Sequence, residues 1–212
     1  MTVSPVPKPV AGFLIAALSL LLLASSSSAV PLYYQVASAS VVADSTEPGL
    51  VVSTMVQPTV AGTGFTIADG SSFTFSLFDI WTDEPAIGSD DLTSSPISAT
   101  INFANPLTGA TVGGITVGGS WMKGLSQWGT LTWNGPVTVS IPGDRTFQIS
   151  LSDATFNYGF GATHPGTAYG ATVNATITQL SSVPETGKTA FLLGSALVGL
   201  RLFARNRRSV SR

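Results

Sequence analysis

The sequence predicts an all-β fold, an antiparallel β-sandwich formed by residues 30–180. Apolar and polar residues alternate with a period of two in several segments, which is typical of strands with one buried and one wet face. Gly, Pro and Asn separate these segments at short intervals, as in all-β domains. Roughly eight to ten strands fit into residues 45–180, and a jelly roll is one form of such a sandwich.

Four segments carry the clearest alternation: 97–103, 137–141, 147–151 and 171–177. In the first of them the apolar positions are Ile97, Ala99, Ile101 and Phe103. In segment 73–80 the apolar residues change phase at Leu77 or Phe78. One extra residue in a strand causes such a change, so we expect a β-bulge there.

Two turn signals join these segments. Asn134-Gly135 lies between TLTW and PVTVSI and predicts a two-residue hairpin. Pro142-Gly143-Asp144 lies between VTVSI and RTFQISL and predicts a second tight turn.

Composition restricts the class of protein. Only 9% of the 212 residues are charged, against about 25% in typical soluble proteins. The chain has no cysteine, which excludes disulfides, thiolate metal sites and cysteine nucleophiles. Because small exported eukaryotic domains usually carry disulfides, an exported bacterial β-protein is favoured.

Charge is distributed unevenly along the chain. Residues 30–187 contain all eleven acids and only two bases, Lys123 and Arg145, for a net charge of −9. Nucleic-acid binding depends on basic contacts to phosphate. We therefore expect no nucleic-acid partner.

Residues 1–29 have the three parts of a secretory signal peptide: Lys8, the uncharged apolar run 11–24, and the small residues SSSSA. Cleavage is expected after Ala29, and a second small-residue site ends at Ala39. The alternative is a retained anchor helix, but fourteen apolar residues are short for a span, which needs about 20.

Residues 181–212 form a linker and a tripartite tail: a Pro-containing motif at 183–187, an apolar helix at 189–204 and a basic end at 205–212. As a helix, 190–204 would be about 22 Å long, short of the ~30 Å hydrocarbon core, and Arg201 would snorkel to the interface. Arg205, Arg207 and Arg208 would act as a membrane stop on the cytoplasmic side. The alternative is an amphipathic helix that docks on the body.

The tail resembles a PEP-CTERM-type sorting signal, closest to the VPDSG variety. The motif residues are Val183, Pro184, Glu185, Thr186 and Gly187, and the helix opening matches at Thr189, Ala190, Leu192, Leu193 and Gly194. Arg201 and the terminal SVSR depart from the pattern. The resemblance implies recognition by an exosortase, an integral-membrane cysteine protease, followed by removal or exchange of the tail. The alternative is a sortase signal, because VPETG differs from LPETG only at its first residue.

Catalytic residues are not indicated. His164 is the only histidine, it precedes Pro165, and no GxSxG motif occurs. Acids do cluster in residues 78–91, where a calcium site and a solvated acidic loop are the two interpretations. The candidate calcium ligands are Asp79, Asp83, Glu84, Asp90 and Asp91.

Four tryptophans have two interpretations, a sugar-binding platform or packing: Trp81, Trp121, Trp128 and Trp133. Packing is favoured, because Trp133 alternates in phase with Leu131. The sequence therefore predicts a non-enzymatic exported protein, anchored in the membrane by its C-terminal helix until processing. Its expected location is the cell surface or an exopolysaccharide matrix. The alternatives are a carbohydrate- or calcium-binding adhesin module and a secreted glycan-active enzyme.

Overall fold

The computed structural model describes residues 31–44, 48–122, 124–142, 145–180 and 194–195. Among them are eleven strands and one short 3-10 helix at Thr167–Tyr169, so the all-β prediction is confirmed. The strands are β1 (Leu32–Ala43), β2 (Ser53–Val56), β3 (Gly64–Ile67), β4 (Ser72–Trp81), β5 (Ser95–Asn105), β6 (Thr108–Trp121), β7 (Ser126–Trp133), β8 (Val137–Ile141), β9 (Arg145–Leu151), β10 (Ala154–Phe160) and β11 (Ala171–Gln179).

The strands form two antiparallel sheets. Sheet A has the order β10-β7-β6-β5-β1-β3, and sheet B has the order β2-β4-β11-β9-β8. Ten strands begin within residues 45–180, as expected, and β1 precedes them. The division into six and five strands differs from the eight-stranded jelly roll that the sequence left open.

The core lies between the sheets and is rich in aromatic rings. Tyr34 of β1 stacks on Phe65 of β3, with ring centroids 5.5 Å apart. It meets Phe147 of β9 edge to face at 5.3 Å, which joins sheet A to sheet B. Such pairs contribute about 0.5–1.5 kcal/mol each beyond the area they bury.

The predicted alternation is confirmed in β5, where Ile97, Ala99, Ile101 and Phe103 are all buried. The bulge is confirmed as well. Val173 of β11 pairs with Phe78 while Asn174 pairs with Ser76, so Leu77 is the extra residue on β4. Leu77 and Phe78 can therefore both be fully buried.

One of the two turn predictions is wrong. Strands β7 and β8 flank Asn134-Gly135 but belong to different sheets, so this segment crosses between the sheets. The strands around the second turn do pair, with Ile141 of β8 opposite Arg145 of β9.

The sandwich has two distinct ends. At the first, which we call the terminal end, the start of β1 meets the end of β11, where the Tyr34 hydroxyl donates to Gln179 Oε1. At the second, the loop end, β11 begins with Ala171 opposite Ile80 of β4. The nine residues of β11 separate the two ends by roughly 30 Å. Both ends of the body, residues 32 and 180, thus lie at the terminal end.

Of the tail, only Gly194 and Ser195 are described, and both are helical. The predicted signal peptide and most of the tail helix lie outside the described residues. In the portion that the structure describes, no helix has the length and apolarity needed to cross a membrane.

Candidate binding surface

The outer face of sheet A carries a row of aromatic side chains near the loop end. Trp121 of β6 lies opposite Ser126 of β7, and Ser126 lies opposite Phe160 of β10. Residues in register on neighbouring strands point to the same face of a sheet. Trp121 and Phe160 therefore flank Ser126 on one surface.

Trp128 and Tyr158 complete this row. Their rings stack with centroids 6.0 Å apart and planes at 27°, and the Tyr158 hydroxyl donates to Ser126 Oγ at 3.2 Å. Trp128 lies over Gly119 of β6, where an added Cβ would come within 2.5 Å of the indole. Glycine at position 119 is what lets the indole lie close to the strand.

We call this surface the aromatic patch and define it as Trp121, Trp128, Tyr158 and Phe160, together with Met122 and Leu125 of the adjoining turn. Three of its rings are unusually exposed for their size: 56% for Trp121, 59% for Tyr158 and 73% for Phe160. Met122 is 64% exposed beside them. Contiguous apolar surface of this kind marks an interaction site in soluble proteins.

A bulge in β10 creates the patch. Phe156 pairs with Gly129 and Gly159 pairs with Gln127, so β10 has one residue more than β7 between these pairs. The extra residue reverses the alternation. Phe156 consequently points into the core and is buried, whereas Phe160 points to solvent.

Asn157 holds this bulge in place. It has a left-handed backbone with φ of 53°, and its side chain is fully buried. Its Oδ1 accepts from the backbone N–H of Thr82 at 2.9 Å. Its Nδ2 donates to the carbonyls of His164 and Gly166. Asn157 thus ties β10 to the end of β4 and to the loop that follows β10.

The surrounding loops are also bonded to one another. The N–H of Gly161 donates to the carbonyl of Leu125 at 2.8 Å, and the Thr163 hydroxyl donates to the carbonyl of Glu84. The N–H of Ile87 donates to Gln127 Oε1 at 2.6 Å. These bonds connect the β6–β7 turn, the loop after β4 and the loop after β10 to one another beside the aromatic patch.

Four of the five candidate calcium ligands, all except Asp90, accept hydrogen bonds from other groups of the chain. Asp79 accepts from Gln57 and Thr172, and Glu84 accepts from the N–H of Val51 at 2.8 Å. Buried Asp91 accepts from the N–H of Gly88 at 2.6 Å, while Asp83 and Asp90 are exposed. Among the described residues, no three His, Cys, Asp or Glu side chains are placed to hold a metal ion. Asp79 and Glu84 therefore connect separate segments of the chain, and Asp91 bonds within its own loop.

The four tryptophans are divided among three places. Trp133 packs in the core, edge to face with Phe78, and donates from Nε1 to the carbonyl of Ser152. Trp81 ends β4 in sheet B and donates to Asp83 at 3.3 Å. Only Trp121 and Trp128 share a surface, so a platform of all four does not form.

His164 is exposed and its ring lies against Tyr169, with centroids 4.7 Å apart. The sorting motif 183–187 and the membrane-stop arginines Arg205, Arg207 and Arg208 lie outside the described residues. Sequence reasoning missed Tyr158 and Phe160. The FNYGF segment (156–160) is the signal that could have indicated an aromatic strand.

No protein-family model matches this chain. Neither the curated proteins nor the solved structures give a match. The chain's own residues are therefore the basis for assigning its function.

The aromatic patch offers apolar contact area with few polar groups, the Tyr158 hydroxyl and the indole N–H groups of Trp121 and Trp128. None of its side chains is a carboxylate, an imidazole or an amine. Chemically it is suited to binding rather than to proton transfer or nucleophilic attack.

Proposed function

We propose that this chain is an exported, non-enzymatic surface or matrix protein, sorted by an exosortase-type membrane protease. The observation that carries the proposal is the order of parts in 183–212: the VPETG motif, the apolar run and the arginine cluster. The cluster would keep the tail's end in the cytoplasm, and the acidic body would then face outward. After processing, the body is released to the surface or to an exopolysaccharide matrix.

The first strand supports cleavage after Ala29 over cleavage after Ala39. Strand β1 begins at Leu32, three residues beyond Ala29. Ala39 lies inside β1, paired with Ile101 of β5. Cleavage after Ala39 would remove Tyr34 and its contacts from the core. Losing a buried aromatic side chain alone costs about 3–5 kcal/mol.

The position of the two ends of the body fits the same proposal. Residues 32 and 180 lie at the terminal end of the sandwich, and the tail motif begins three residues after Leu180. A signal peptide and a tail helix in one membrane therefore require no rearrangement of the body. The aromatic patch is held near the opposite end, away from that membrane.

A motif variant tests this function in the native host. Residues 183–187 are replaced by alanines, and the matched control replaces Ser181 and Ser182. We expect the motif variant to keep its tail and to accumulate in the membrane fraction, because the protease no longer has its recognition sequence. The control is expected to be processed like the parent chain. Immunoblots of the membrane, surface and medium fractions measure the difference. Equal processing of the motif variant and the parent would contradict the proposal.

A further inference from the structure

We propose that the aromatic patch is a self-association surface through which two copies of this chain pair face to face. The residues that define the patch are Trp, Tyr, Phe and Met, with one Leu, and none of these named residues is charged. Interface cores are enriched in these four residue types and depleted in charge. Ile115 continues the apolar strip along β6 and is 40% exposed.

The area of the patch fits the core of such an interface. From exposures of 56%, 59% and 73%, Trp121, Tyr158 and Phe160 offer roughly 400 Å² if each side chain has about 200 Å². A standard interface buries about 800 Å² per partner, in an apolar core with a polar rim. The exposed threonines beside the patch, Thr132 of β7 and Thr155 of β10, supply such a rim.

Charge also favours this face. The body carries eleven acids and two bases between residues 30 and 187, so two copies repel each other over most of their surface. The outward positions of β7 and β10 that adjoin the patch are Ser, Thr, Trp, Tyr and Phe. Contact through these strand positions therefore brings no acidic side chains of the two copies together.

The exit of the tail is compatible with pairing on a membrane. The patch lies on the outer face of sheet A near the loop end. The tail begins after residue 180, at the terminal end, so about the length of β11 separates the patch from the start of the tail. A two-fold axis along the strands would place both tails on the same side. This side-by-side orientation rests on the proposed anchoring, whereas the pairing itself does not.

Face-to-face packing is favoured over strand addition at β10. The carbonyl of Asn157 already accepts from the N–H of His164, so the loop after β10 occupies part of this edge. Addition of a strand needs a continuous row of unpaired backbone groups. The side chains of the patch, and not the edge of the sheet, are then the contact.

The chain has no cysteine, so single cysteines can report contact between copies. The experiment uses the full chain, purified in detergent. The test variants are Thr132→Cys and Thr155→Cys, whose positions lie beside the patch, and the matched control is Thr138→Cys, at an exposed position on β8 of sheet B. With a short bis-maleimide cross-linker, we expect each test variant to give at least fivefold more cross-linked dimer than the Thr138→Cys control. Trp121→Ser with Phe160→Ser should lower that yield at least tenfold, whereas Leu107→Ser, 91% exposed elsewhere, should not change it.

The mass of the particle in solution is a second, independent measure of pairing. Sedimentation, corrected for bound detergent, should give twice the chain mass for the parent and one chain mass for the double variant. The double variant should still unfold cooperatively on heating, which shows that it is folded. A parent protein that stays monomeric up to about 100 μM, well above a micromolar Kd, would overturn the proposal. So would equal cross-linking at Thr138→Cys, or a monomer whose patch instead retains polysaccharide. Because purified protein is used, these outcomes are independent of sorting.

Discussion

Asn157→Ala is expected to lower the free energy of unfolding by about 3–5 kcal/mol. The substitution leaves the N–H of Thr82 and the carbonyls of His164 and Gly166 without their side-chain partner. Each buried polar group left unpaired costs about 1–3 kcal/mol. Alanine also tolerates the left-handed backbone at φ of 53° less well than asparagine. Urea unfolding followed by tryptophan fluorescence measures the change.

Asn157→Gly is the matched control for backbone strain. It loses the same hydrogen bonds but adopts a left-handed backbone without steric cost, so it should be about 1 kcal/mol more stable than Asn157→Ala. Thr155→Ala, an exposed change in the same strand, should stay within about 0.5 kcal/mol of the parent. If Asn157→Ala unfolded at the parent's urea midpoint, Asn157 would not be the tie between β10 and its loops.

Alkaline pH is expected to destabilise the sandwich through Tyr34. Burial raises the pKa of Tyr34 to about 12, nearby Arg145 lowers it in part, and Asp69 raises it. In the unfolded chain the pKa is about 10, so the folded state holds the proton more tightly. The stabilisation is complete below pH 10 and is lost as pH rises from 10 through 12. The loss reaches about 3 kcal/mol, at about 1.4 kcal/mol per pH unit.

Tyr34→Phe separates this titration from other alkaline effects. The variant cannot ionise at position 34, so its stability should fall less between pH 10 and 12. It should also be less stable by about 1–3 kcal/mol at neutral pH, because Gln179 Oε1 loses its donor. Urea midpoints at pH 9, 10, 11 and 12 compare the two proteins. Parallel pH curves would assign the alkaline transition to other groups.

Local patterns predicted the fold well where the burial of one strand face determines the structure. The apolar positions of β5 and the bulge at Leu77 follow from which side chains the core must take. The Asn134-Gly135 signal misled because a turn dipeptide describes only its own backbone. The partner of β8 is β9 in the other sheet, and that choice depends on contacts distant in sequence.

The binding surface could be predicted only in part. The sequence indicated Trp121 and Trp128 only as members of a set of four tryptophans for which packing was favoured over a sugar-binding platform, and it did not indicate Tyr158 or Phe160. A strict period of two would place Phe156, Tyr158 and Phe160 on one face of the sheet. In the structure the bulge at Asn157, which has a left-handed backbone, turns Phe156 into the core and leaves Tyr158 and Phe160 on the outer face. The hydrogen bond of Asn157 to the N–H of Thr82 joins residues 75 positions apart. No local pattern contains that information.

The most direct test of the account is the intact mass of the protein isolated from the surface or medium of its native host. We expect a chain that begins at Val30 and that has lost the residues after the VPETG motif, with a body that still contains β1 through β11. A chain that retains both Met1 and Arg212 in the cytosolic fraction, at 21.8 kDa, would contradict the account.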